Sequence, residues 1–524
     1  MTVSENPETV DNSTFSKFYS IYSRDDSYNL LCYDNKAGFE IHAAWPQVVE
    51  KMKAMKEQNE ADIKQYGFTQ DELDSSSLPI THEGSVKVYE FKKFDETFTR
   101  GVILKDFTPS QTELATIGGH QSKFHDWFAK LIVQDSRVED SVKPTIMDPA
   151  KQMANFVADF FAEHLKNTTN NDEWNNGGRE YFVDKVHYFT SRGAKIECVL
   201  PAFPCKSSNT QKVVGVFPDK GEELALRRLI FTARAIEQVY SPGMKIFIVS
   251  DGHVFSDCIG VDDDVVDAYT ERLKYFYKHV KLSENADKDY IGFVSLKDLF
   301  FKEDAEAFNE ELIKDVQLPH YTGSKICEDA ELSRRLLIAG CDTDAGKLRE
   351  DVNTPDHPRL HLYRGFMRFM LEDLALHPVC KKMSKRNFKK TVSRVAFEMI
   401  KRNDAYSNLV ELLFPFHLRL SIHAHTNAGP KYGIRLINTN ECKIIKSLDS
   451  SDEPSFEDLL HIPTPWHNSI VKVEGHRYIY LTKSRVVLDA VNQGIYTSEW
   501  NKGDFEAGIG GHFYLKCAQK AKEE

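Results

Sequence analysis

Between Lys195 and Gly252 the chain spells out one supersecondary unit, which limits the possible folds more than any other feature. Lys195–Leu200 (KIECVL) is a short apolar run that predicts a buried strand. After a loop, Pro218 and Asp219 open a helix in which Asp219 and Glu222 stand at capping-box spacing. Leu226, Leu229, Ile230, Ala233 and Ile236 then fall on one helical face, and Ser241-Pro242-Gly243 stops the helix. Met244–Ser250 (MKIFIVS) is a second apolar strand, ending in Asp251-Gly252. A strand, helix and strand in that order predict two parallel strands in a sheet covered by helices.

In open parallel sheets, ligands sit beyond the carboxyl ends of the strands. The loop from Pro201 to Pro218 and the loop starting at Asp251 therefore share one edge, so that Lys206 and Asp251 could face one crevice. Lys206 suits an anionic substrate or, if desolvated, an amine base; the alternative is a solvated surface lysine. Asp251 stands where α/β enzymes place acid–base or hydroxyl-binding carboxylates, although an Asp-Gly turn needs no function. His253 and Asp257 extend the same loop, and a histidine near a carboxylate titrates close to neutral pH. The first turn holds no GxGxxG, which argues against a dinucleotide cofactor but leaves room for a smaller phosphate ligand.

Composition narrows the function classes. The 524 residues carry 67 Lys and Arg against 79 Asp and Glu, a net charge of -12, which disfavours sequence-independent binding to nucleic acid or an anionic membrane. No apolar run is long enough to span a bilayer, and the first residues lack a basic then apolar leader, so a cytoplasmic location is expected. Nine cysteines without a CxxC pair suit reduced, buried thiols better than a disulfide frame or a zinc site.

Residues 1–119 form an extension whose stretch Ser85–Phe94 alternates like a strand. From His120 to Glu163 the pattern is helical, with Trp127, Phe128, Leu131 and Ile132 on one face, and Asn167–Gly178 is a loop by composition. Asp262–Tyr277 and Leu362–Leu374 read as helices, the second with Arg364 and Arg368 on one side. Leu418–Ile437 reads as two strands joined by a Gly-Pro turn, with Arg419, Ser421, His423 and His425 on one face. The His-x-His pair invites a metal, but no third ligand can be named, so a polar network is favoured and no metal is expected. Ile462–Val473 is a proline turn feeding a strand, in which Trp466 is an aromatic wall or a core residue and His467 a donor or a turn residue. From about Ser484 the chain is polar and Gly-rich, and residues 486–524 are expected to be a tail.

Leu200–Asn209, Glu222–Leu229, Ser250–Val261, Leu362–Leu374, Arg419–His425 and Thr464–His467 together resemble the motifs of the pyoverdine/dityrosine biosynthesis family, in the family's order. The resemblance covers roughly residues 120–485, and the long extension is similar to that of the fungal branch, which acts on tyrosine in the spore-wall dityrosine pathway. It implies a Rossmann-like, mostly parallel α/β sheet flanked by helices, with an added β-containing carboxyl-terminal part. It also implies an isocyanide synthase that passes one carbon from ribulose 5-phosphate, a cosubstrate with no resident cofactor, to the amine of an aromatic amino acid. The product would be an isocyanide or an N-formyl amino acid. On that reading Lys206, Asp251, His253 and His423 are catalytic candidates, and Arg228, Asp257, Arg419, Trp466 and His467 are substrate-binding candidates. His425 departs from the family pattern, where a proline commonly follows the Ser-Ile-His. Small-molecule substrates are the expected partners, with no nucleic acid and no membrane. Two other readings stay open: a Rossmann-like transferase acting on a nucleotide sugar, and a non-catalytic scaffold that binds a metabolite or protein.

Overall fold

The computed structural model describes residues 149–301, 310–341, 345–414, 416–448 and 463–518, with short strand pieces between 80 and 105. One of those pieces, Val86–Tyr89, lies in the alternating stretch and pairs antiparallel with Val102–Lys105. Trp127, Phe128, Leu131 and Ile132 lie outside the described residues.

The expected crossover unit is present. Strand β1 (Ile196–Pro201) leads through a loop into α3 (Lys220–Val239), which is preceded by helices α1 (Pro149–His164) and α2 (Arg179–Thr190). The capping box forms as its spacing predicts: the Gly221 N–H donates to the Asp219 carboxylate at 2.7 Å and the Asp219 N–H to Glu222 at 2.8 Å. Strand β2 (Met244–Ser250) then pairs parallel with β1, Ile196 opposite Met244 and Pro201 opposite Val249.

The chain continues through α4 (Gly252–Ile259), α5 (Asp263–Ser283), β3 (Ile291–Ser295), α6 (Leu296–Phe300), α7 (Glu328–Cys341), α8 (Ala345–Asn353) and α9 (Pro358–Asp373). The long α10 (Lys385–Leu413) follows, then β4 (Leu418–Ser421) and β5 (Lys431–Gly433). The first sheet has the order β5-β4-β1-β2-β3, and every pair in it is parallel.

The β4–β5 pair corrects the expected hairpin. The strands run parallel, Lys431 opposite Arg419, so the chain from Ile422 to Pro430 must travel back along the sheet rather than turn at its end. The regular alternation also stops at Ser421, and His423 and His425 belong to that return segment. Gly433 makes the path possible: a Cβ there would come within 2.3 Å of the Asn167 carbonyl and 2.6 Å of the His423 carbonyl.

Side-chain alternation divides the sheet's two faces. Cys198, Ile246, Leu418 and Leu420 point to the side where they meet Phe161, Phe182 and Leu229, so α1, α2 and α3 cover that face. Leu226, Leu229, Ile230, Ala233 and Ile236 are all buried there, matching the predicted stripe. Their intervening neighbours, including Arg419 and Lys431, face the other way, toward α10.

A second five-stranded sheet lies in the carboxyl-terminal part. It contains β6 (Cys442–Ile444), β7 (Ser469–Val473), β8 (Ile479–Thr482), β9 (Tyr496–Asn501) and β10 (His512–Cys517), in the order β6-β8-β7-β10-β9. Residues 486–518 are therefore folded structure and not a tail. Helix α11 (Ser484–Asn492) buries Val486, Val487 and Ala490 against Val471, Tyr480 and Leu515, an apolar stripe that polar neighbours hide in a composition reading.

Candidate active site

The loop after β1 and the turn after β2 do meet at one rim. The Ala202 N–H donates to Val249 O at 3.3 Å, and the Ser250 hydroxyl donates to Phe203 O at 3.2 Å. A Cβ on Gly252 would approach Pro204 O to 2.4 Å, so only glycine allows this contact. Phe203 holds a φ of 55°, a left-handed conformation that costs about 1–3 kcal/mol for a side-chain-bearing residue. Its buried ring packs 5.1 Å from that of Trp466, which helps to hold the loop there.

The structure corrects the role expected for Lys206. Its amine has no face on the crevice: it is fully enclosed, 2.9 Å from Asp219, 2.8 Å from Glu222 and 2.9 Å from Pro465 O. Burial disfavours the ammonium, but Asp219 and Glu222 outweigh it and hold the group charged. Lys206 thus bolts the loop to the start of α3.

Asp251 stands just past the carboxyl end of β2. It occupies the position before α4, where an aspartate commonly caps the helix, yet its side chain makes no capping bond. Oδ1 has no hydrogen-bond partner among the described residues, and burial raises the carboxyl to about 6. Tyr406, on α10, spans the gap to the neighbouring strands. Its hydroxyl donates to Val249 O at 2.8 Å, and its phenol feels the charges of both Asp251 and Arg419.

Arg419 stands beside Lys431 across the β4–β5 register, and Lys431 donates to the Ser407 hydroxyl at 2.5 Å. Arg419 lies 3.7 Å from Glu411, and Arg359 pairs with Asp404 at 2.8 Å. Burial, then the Arg419 charge, lowers the Lys431 ammonium to about 8. His423 is solvent-accessible on one side and closely walled on the others, and burial followed by Lys431 lowers its basicity. Burial also lowers His425, to about 4, with His423, Lys431 and Arg419 adding to the effect. Arg419 and Lys431 thus lie on the sheet face covered by α10, and Tyr406 of the same helix reaches the end of β2 beside Asp251. Lys431 escapes a sequence reading because Gly-Pro-Lys looks like a turn; only the parallel register puts it beside Arg419.

The remaining candidates lie elsewhere. Arg228 is on α3, across the sheet, and donates to the His164 carbonyl at the end of α1. His253 is buried with its ring 3.2 Å from Asp267, and its carbonyl accepts from Arg334 at 2.9 Å. Trp466 is a core residue, and His467 packs edge-on against Phe369 at 5.0 Å. Among the described residues no group of three or more His, Cys, Asp or Glu is arranged to hold a metal ion.

Asp257 is likewise engaged, in a buried ion pair with Arg402 at 2.5 and 3.0 Å. His320 closes this network, 2.8 Å from Asp257 and 3.0 Å from Glu331. Hydrogen bonds to Asp257 and then Glu331 raise the imidazole from 6.5 to about 9, against its partial burial. Because the folded value is the higher one, this stabilisation is complete below pH 6.5 and disappears as pH rises through 9. Thermal melts across that window are expected to show a falling midpoint in the natural protein and a flatter profile in His320→Gln.

A parallel sheet with an unbonded carboxylate just past the end of β2, where such sheets place their ligands, defines an α/β protein of the small-molecule-binding kind. Comparison with known proteins makes that class specific. The family described as pyoverdine/dityrosine biosynthesis protein matches residues 186–494, and the chain belongs to it. The spore wall maturation protein DIT1 of Saccharomyces cerevisiae is 47% identical over 517 residues, covering 97% of this chain and 92% of the yeast protein. An L-tyrosine isonitrile synthase of Xenorhabdus nematophila is 30% identical over 345 residues, covering 66% of this chain and 85% of the relative. The crystal structure of PvcA from Pseudomonas aeruginosa superposes with a TM-score of 0.52 at 26% identity, over 68% of this chain and 99% of that one.

Proposed function

We propose that the protein is an isocyanide synthase that acts on L-tyrosine with ribulose 5-phosphate as carbon donor and no resident cofactor, in the cytoplasm, on the route to dityrosine. The observation that carries the reading is the Asp251 carboxylate, unbonded at Oδ1 just beyond the carboxyl end of β2, in a chain whose relatives include an L-tyrosine isonitrile synthase. Condensation of an amine with a ketose carbonyl needs a group that accepts a proton from the amine and returns one to the departing hydroxyl, leaving an imine and water. A carboxyl near 6 is poised for both transfers. The nearly full-length likeness to the yeast spore wall protein favours the spore-wall setting over a nucleotide-sugar transferase.

The test is an incubation of purified full-length protein with L-tyrosine and carbon-labelled ribulose 5-phosphate. Mass spectrometry is expected to find one labelled carbon in an isocyanide or N-formyl derivative of tyrosine. If no aromatic amino acid takes up the label, the reading is wrong.

A further inference from the structure

Arg419 and Lys431 are directly opposed on adjacent parallel strands, so their side chains leave the same face of the sheet side by side. That face is the one covered by α10, whose Tyr406 hydroxyl donates to Val249 O near the end of β2. The groups facing the pair are Glu411, Asp404 and Ser407 from α10, Arg359 from α9, and His423 and His425 from the return segment. The carboxylates of α10 are engaged by guanidinium groups, Asp404 with Arg359 and Glu411 with Arg419. Ser407, the hydroxyl that accepts from Lys431, is neutral.

We propose that Arg419 and Lys431, side by side beneath α10, grip an anionic oxygen group of a substrate, the α-carboxylate of the amino acid or the phosphate of the sugar. The inference rests on the enzymatic reading above and adds to it the pair of residues that anchors the substrate's anionic group. A guanidinium can hold two oxygens in its fork while an adjacent ammonium supplies a third, freely rotating contact. Three cations, Arg419, Lys431 and Arg359, face two carboxylates, Glu411 and Asp404, so an incoming anion would meet net positive charge.

Two measurements on full-length protein test it. In steady-state assays, Lys431→Met is expected to raise KM for one substrate by about tenfold or more, the scale of a lost hydrogen bond to a charged group. A rise for tyrosine identifies the carboxylate, and a rise for ribulose 5-phosphate the phosphate. Unchanged KM for both overturns the proposal. Calorimetric binding of L-tyrosine and of inorganic phosphate runs without turnover, so it still decides if the natural protein makes no product. There, loss of binding in Lys431→Met sustains the anion site, whereas equal binding, or none by the natural protein, removes it. Should Lys431→Met fail to fold, Lys431→Arg is expected to keep the affinity. In the natural protein, affinity must then fall as pH rises through the lysine's titration near 8; an affinity flat across that range overturns the proposal equally.

Discussion

Asp251→Asn is expected to reduce turnover by about a hundredfold or more, the usual scale for a lost acid–base group, while leaving the melt of the protein nearly unchanged. The geometry explains why the two effects separate. The Asp251 side chain does not cap α4, so an isosteric amide removes no helix-stabilising bond. Replacing a buried carboxyl with a neutral amide also removes a desolvation cost. The pH profile gives a second check. A base raised to about 6 must be deprotonated to work, so kcat/KM of the natural enzyme falls roughly tenfold per pH unit below that value. In the Asn variant that acidic limb vanishes. A near-normal rate, or a profile that keeps its limb, would assign the proton transfer to another group.

Much of this site was legible before any coordinates, for local reasons. Asp219 and Glu222 announce a helix start because both partners of the capping box lie within one turn. Met244–Ser250 followed by Asp-Gly announces a strand end, and strand ends are where parallel sheets keep their ligands. What stayed hidden depends on partners distant in the chain. Whether Lys206 faces a ligand or two carboxylates is decided by α3 and Pro465, more than ten and more than two hundred residues away. The β4–β5 register, which creates the Arg419–Lys431 pair, follows from a non-helical return between parallel strands, whereas a Gly-Pro dipeptide ordinarily signals a hairpin. His253 shows a third limit. It starts a helix instead of extending a loop, and the helical turn rotates it away from Asp251 toward Asp267.

Lys206→Met is expected to act in the opposite sense from Asp251→Asn, with its main effect on stability. Removing the amine strands Asp219 and Glu222, both almost fully buried, and breaking one partner of such a cluster typically costs about 3–5 kcal/mol. That is a large share of the roughly 5–15 kcal/mol that holds a typical domain folded, so a clearly lower denaturation midpoint is predicted. Much of the loss comes from the uncompensated carboxylates rather than from the contact itself. The triple variant Lys206→Met, Asp219→Asn, Glu222→Gln is therefore expected to melt closer to the natural protein than the single one does, although it gives up the charged capping box. Turnover supplies the discriminating measurement. At a temperature where the folded fraction is restored, the single variant is expected to keep most of its rate per folded molecule, because the amine is fully enclosed by its partners. A variant that melts normally but has lost its rate would mean that Lys206 leaves its carboxylate cage to meet the substrate.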